Sequence, residues 1–175
     1  MKITTAFRMI TACAFACLNG ATFAKNLSID VAAATAAEGQ RNRAAAQVYF
    51  APIHSEQELH SYLAGNKSTP LDALDPKSEG RFLASLTFNA KGITGFSYED
   101  LRSLSPSEAY SILALFGAQE AIIGIPFDSA STADEANVGL LSPIVIQDYP
   151  DARCQPPATC LSSHQQICLS TCQNP

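Results

Sequence analysis

Four cysteines, Cys154, Cys160, Cys168 and Cys172, stand within the last 22 residues of a 175-residue chain whose other two cysteines are Cys13 and Cys17. Cross-links of that density close short loops and dictate which backbone segments lie side by side, so they constrain the C-terminal fold more than any other feature. The four are separated by five, seven and three residues. A structural zinc site usually offers a pair two to four residues apart on each side, and only Cys168 with Cys172 does so here. Spacing therefore favours disulfides over a metal, and no metal or cofactor is expected. Ser163 followed by Gln166 suggests a capped helix presenting Cys168 and Cys172 on one face. From it both sulfurs would reach back toward Pro156 and Pro157. That geometry predicts Cys154 with Cys172 and Cys160 with Cys168, or the crossed arrangement, in preference to sequential pairs. No CxxC pair occurs, so the cysteines read as staples and not as a redox centre.

Persistent disulfides require an oxidising compartment, and the first 24 residues read as a means of reaching one. Lys2 and Arg8 are followed by the uncharged, mostly apolar stretch Met9 to Leu18, which Asn19 and Gly20 interrupt. Thr22 and Ala24 then place small side chains at −3 and −1 of a cut before Lys25, as signal removal requires. An apolar run of about ten residues is too short to span a bilayer, which takes roughly 20. The expectation is export to the periplasm or the extracellular space. A lipoprotein is the lesser alternative, through Ile10-Thr11-Ala12-Cys13 or, with a poorer match, Ala14-Phe15-Ala16-Cys17; the first lies too close to Arg8 to leave an inserting core ahead of it.

Without residues 1–24 the chain keeps nine basic residues against 16 acidic ones. Such a surface repels phosphate backbones, and no cluster of more than two neighbouring Lys or Arg offsets this. Nucleic acid is excluded as a partner and stable membrane insertion is not expected, whereas a cationic protein would be attracted at long range.

The organisation predicted is a signal peptide at 1–24, an Ala-rich arm at 25–47, a mainly helical domain at 48–148 and a Cys-rich tail at 149–175. Gln47 to Ala51, stopped by Pro52, reads as an edge strand or extended lead-in. Ser55 with Glu58 predicts a helix to about Ala64, and Asp75-Pro76 predicts a second that ends before Asn89 to Gly92. Ile93 to Phe96 is a strand or connector, and Tyr98 to Leu104 a short helix. Ser105-Pro106-Ser107-Glu108 combines an N-cap, a proline at N1 and a capping glutamate. A helix over 106–116 follows, with Ala109, Ile112, Leu113 and Phe116 on its buried stripe. Ile122 to Phe127 and Leu140 to Ile146 suggest a hairpin around the polar loop 128–139. The fold class expected is mainly α, a small helical domain with a minor β-hairpin and a disulfide-stapled tail; α+β is the alternative.

Catalytic signatures are thin. His54 and His60 flank the first helix start with Glu56 and Glu58 between them, but six residues turn a helix through nearly 600°, which points the imidazoles apart. There is no HExxH, GxSxG, GxxxxGK[ST] or GxGxxG pattern, and the adjacent acids Glu99-Asp100 and Asp134-Glu135 read as solvated surface. His164 reads as a solvent-facing residue of the tail. No catalytic, cofactor-binding or metal-ligating residue is therefore assigned. The expected function is a non-catalytic exported protein that binds another protein, such as an inhibitor, an immunity-type factor or an envelope component. The alternative is a small secreted hydrolase or toxin using His54 or His60 as general base.

Overall fold

Side-chain caps define most of the helix starts. In the computed structural model, which describes residues 34–39, 41–128 and 148–173, the chain divides into a unit ending at Gly39 and a second spanning Gln40–Pro175. Residues 34–39 of the first are helical. In the second unit the first described helix, α1, covers residues 41–50. This corrects the expected strand at Gln47 to Ala51. Ala44 to Ala46 favour helix, and Ala44, Gln47, Val48 and Ala51 form a half-buried to buried stripe at i, i+3, i+4 and i+7. The helix stops where Pro52 restricts the backbone of Ala51.

Helix α2, Glu56–Gly65, is capped by Ser55, whose hydroxyl accepts from the Glu58 amide at 3.2 Å. A 3-10 turn, Pro70–Ala73, carries a capping box between Thr69 and Asp72. Helix α3, Pro76–Ser85, starts from Asp75, which accepts from the amides of Lys77 and Ser78. The hairpin β1, Thr87–Asn89, and β2, Gly92–Ser97, turns where the Asn-Ala-Lys-Gly cluster predicts a break. Tyr98 to Leu104 is a pair of successive turns, Leu101 N to Tyr98 O and Leu104 N to Leu101 O, and not the expected short helix. Helix α4, Pro106–Ala114, has the complete capping box of Ser105 and Glu108, and Ala109, Ile112, Leu113 and Phe116 are all buried.

The expected hairpin at 122–146 is corrected in part. Ile122 lies in a 3-10 turn, Gln119–Gly124, and 125–127 has no regular structure; Gly124 and Pro126 prevent a continuous ladder. Its other half, Leu140 to Ile146, lies outside the described residues, as do residues 129–139 of the polar loop and the signal and lipoprotein motifs. The larger correction is to the tail. The helix expected from Ser163 through Cys172 is replaced by β3, Tyr149–Gln155, β4, Thr159–Cys168, and only a single helical turn, α5, Ser170–Gln173. β4 inserts between β3 and β2, giving an antiparallel sheet of order β1-β2-β4-β3. The fold is therefore α+β, and the mainly α expectation is overturned. Ile167 supplies the physical reason: fully buried, it carries β4 into the helical core.

Phe82 sits at that core's centre, with Phe96 and Phe116 each at 6.2 Å in edge-to-face contact. A second, smaller cluster joins Ala152 to Cys168 and Cys172, with Cys154 and Cys160 against it.

Candidate functional site

Gly117 fixes the end of α1 against the core. Its φ is +69°, and a Cβ there would lie 2.5 Å from Val48 Cα and 2.8 Å from Gln47 O, so no other residue fits. Ile53 N donates to Leu115 O at 3.0 Å on the chain leaving the helix. The His54 ring closes the same junction, with Nε2 at 2.8 Å from Val48 O and Nδ1 at 3.2 Å from the Glu58 carboxylate. Held in this way, the helix end turns Tyr49 and Phe50 outward, 76% and 79% exposed, with their rings edge-to-face at 5.0 Å. Two large aromatic side chains so exposed on an anchored helix end are costly to leave in water, at about 25 cal/mol per Å² of apolar surface. Such surface is common where a partner covers it.

Beside Phe50 lies an open cavity of about 320 Å³ lined by Arg43, Ala46, Gln47, Phe50, Ala51, Ala114 and Gln119. The side-chain amide oxygens of Gln47 and Gln119 are both buried and make no hydrogen bond among the described residues. Each such acceptor costs about 1–3 kcal/mol relative to a bonded one. Glu120, next to Gln119, is pushed above the usual carboxylate range by burial, an effect the positive charge of Arg43 opposes.

The cystine unit is the other unusual feature. Cys154 is bonded to Cys172, and Cys160 to Cys168, each with Cα atoms 5.8 Å apart. Cys160 and Cys168 belong to the same strand, which, if straight, would hold them about 26 Å apart. β4 must therefore double back. It does so where its pairing with β3 jumps from Pro150↔Ile167 to Ala152↔Ser162. The Sγ atoms of Cys154, Cys168 and Cys172 lie within 4.8 Å of one another, a grouping that the two bridges account for. At the foot of the hairpin Asp148 accepts from Ser170 N at 2.9 Å. Burial pushes its carboxyl up to about 6, with the charge of Glu120 adding to the rise and the Ser170 amide opposing it.

The histidines are not brought together into a catalytic group. Both ring nitrogens of His54 face acceptors, and no hydroxyl bonds it among the described residues; Ser55 Oγ is occupied by the Glu58 amide. His60 and His164 are exposed. Asp100, read as surface decoration, is instead 8% exposed and gripped by Arg81 through Nε, at 3.2 Å, and Nη2. Asp134 and Glu135 lie outside the described residues. Sequence reasoning missed Tyr49, Phe50, Gln47, Gln119 and Asp148. The adjacent aromatics were visible, but reading them as a strand hid their exposure.

No protein-family model, curated protein or solved structure matches this chain.

Proposed function

We propose that this chain is an exported, non-catalytic protein that recognises another protein, and that it does so through the surface at the end of α1. The exposed Tyr49 and Phe50 carry this reading: they stand at a helix end anchored through Gly117 and His54, Phe50 borders the cavity, and aromatic residues of this kind dominate binding energy at protein interfaces. Two disulfides support an oxidising destination, as does the signal-like segment before Lys25. No described helix is long and apolar enough to cross a membrane. The hydrolase alternative gains nothing from His54, whose two nitrogens are committed to Val48 O and Glu58.

Affinity capture with the oxidised protein from its native envelope or medium tests the reading. A partner retained by the parent and lost by Tyr49→Ala/Phe50→Ala is expected. Capture unaffected by the double substitution would move the interface elsewhere, and hydrolytic activity abolished by His54→Ala would overturn the non-catalytic assignment.

A further inference from the structure

The two cystines are not independent of one another. Cys168, fully buried and bonded to Cys160, has its Sγ within 4.8 Å of both sulfurs of the Cys154–Cys172 bridge. Cys154 and Cys160 are partly exposed, and they are Cα partners on the β3–β4 ladder. Residues directly opposite in an antiparallel pair have Cα atoms about 4.5–5.5 Å apart, within the roughly 4.4–6.8 Å that a disulfide spans. The fold therefore keeps two complete pairings of the same four sulfurs within reach: the one it uses, and Cys154 with Cys160 together with Cys168 with Cys172. We propose that the tail is a thiol-responsive switch, in which a solvent thiolate such as that of glutathione converts the first pairing into the second with no net oxidation or reduction. The switch does not depend on where a partner docks.

The sequence of steps follows from burial. The external thiolate attacks Cys160 Sγ, the more accessible sulfur of its bridge; a mixed disulfide forms there, and the Cys160–Cys168 bond breaks with its electron pair left on Cys168. That thiolate is enclosed with Ala152, Cys154 and Cys172, where negative charge is poorly solvated. Attack on the neighbouring Cys172 Sγ relieves this, forming Cys168–Cys172 and expelling Cys154. Exchange is faster when the leaving sulfur holds negative charge more readily, and Cys154 is partly exposed whereas Cys172 is buried. Cys154 then attacks Cys160 Sγ across the ladder, which forms Cys154–Cys160 and returns the external thiolate. Each step makes one S–S bond and breaks one, so the thiol acts as a catalyst. The outcome is structural: the bond tying α5 to the edge strand and the bond closing the corner of β4 are both lost, while the hairpin stays cross-linked at its far end.

Disulfide mapping of the full oxidised protein after anaerobic incubation with glutathione, below the protein's own concentration, tests this. After N-ethylmaleimide has blocked free thiols, trypsin cuts behind Arg153 and chymotrypsin behind Leu161 and Leu169, which separates 154–161, 162–169 and 170–175. The starting pairing, like the crossed one, holds all three peptides together. The proposed pairing frees 154–161 with its own internal bridge and leaves 162–169 joined to 170–175. That free peptide is expected to accumulate while the intact mass of the protein and its helical circular dichroism stay unchanged. A second measurement needs no added thiol: in Cys160→Ser the unpaired Cys168 should exchange into the other bridge, so that N-ethylmaleimide applied to the folded variant labels Cys154. Peptides that remain linked whatever the exposure to glutathione would overturn the switch, as would release of 154–161 only where the helical signal is lost. Label confined to Cys168 in Cys160→Ser, or no label at all, would overturn the attack of Cys168 on the second bridge.

Discussion

Asp151 and Gln165, with φ of 52° and 57°, are the non-glycine residues in the left-handed region among those described, and they face each other across the break between β3 and β4. Gln165 N donates to Asp151 Oδ1 at 3.1 Å, and the same oxygen accepts from the Tyr98 hydroxyl at 2.7 Å. The Gln165 carbonyl in turn accepts from Tyr98 N and Ser97 Oγ, both at 3.0 Å. The corner that folds the outer hairpin over is therefore tied on both strands to the start of the turns after β2. Left-handed backbone costs a non-glycine residue about 1–2 kcal/mol, a cost that Asp tolerates better than Gln.

Gln165→Gly is accordingly expected to stabilise the protein, by about 0.5–1 kcal/mol, because its backbone donor and acceptor remain while the steric cost disappears. Tyr98→Phe should destabilise by about 1 kcal/mol, the usual worth of such a bond. Urea midpoints check both. The Asp151 carboxyl is held below the usual range chiefly by the Tyr98 hydroxyl and then by the Gln165 amide. A lowered carboxyl contributes stability above its unfolded value near 4 and loses it as pH falls through the folded value. Tyr98→Phe should thus shallow the acid side of the stability profile.

Asp148 has the opposite sign. With its carboxyl raised from 3.8 to about 6 in the fold, the native state holds the proton more tightly than the unfolded chain. Its contribution is fully present below about pH 4 and is lost as pH rises to about 6. Asp148→Asn keeps an acceptor for Ser170 N and removes the buried charge and its repulsion by Glu120. It should stabilise the protein at pH 7 by up to about 2–3 kcal/mol, two pKa units being the upper bound, and should flatten the stability profile between pH 4 and 6. A midpoint at pH 7 equal to the parent's would show that Asp148 is well hydrated.

The helix starts were legible because a cap is a local event. Ser105 and Glu108 sit three residues apart and bond each other's backbone amides, which needs nothing from elsewhere in the chain. Ser105→Ala and Glu108→Ala should each cost about 1 kcal/mol in urea unfolding. The sheet was not legible, because Ser163, His164, Gln165 and Gln166 show no alternation. They occupy a corner whose geometry is set by Tyr98, Asp151 and two bridges 8 and 18 residues long. The cavity was out of reach for a related reason: Gln47, Ala114 and Gln119 come together only because the backbone of α1 lies against Gly117.

The two bridges differ in what they hold, and reduction should reveal it. Cys154–Cys172 attaches α5 to the edge strand, whereas Cys160–Cys168 closes the corner within β4. Each closes a short loop and is expected to contribute about 2–4 kcal/mol. The purified oxidised protein should show no free thiol among these four after denaturation. Cys160→Ser/Cys168→Ser should open the corner, exposing Leu161 and Ser162 amides to rapid hydrogen exchange, and Cys154→Ser/Cys172→Ser should release α5 with less effect on Ala152 to Gln155. In both, α2, α3 and α4 should keep their helical circular dichroism, since Phe82, Leu113 and Phe116 are buried in a cluster separate from the cystines. Ile167 joins the two regions, so full reduction should lower the urea midpoint without abolishing the transition. Loss of all helical signal on reduction would show instead that the helical core depends on β4 being held in the sheet.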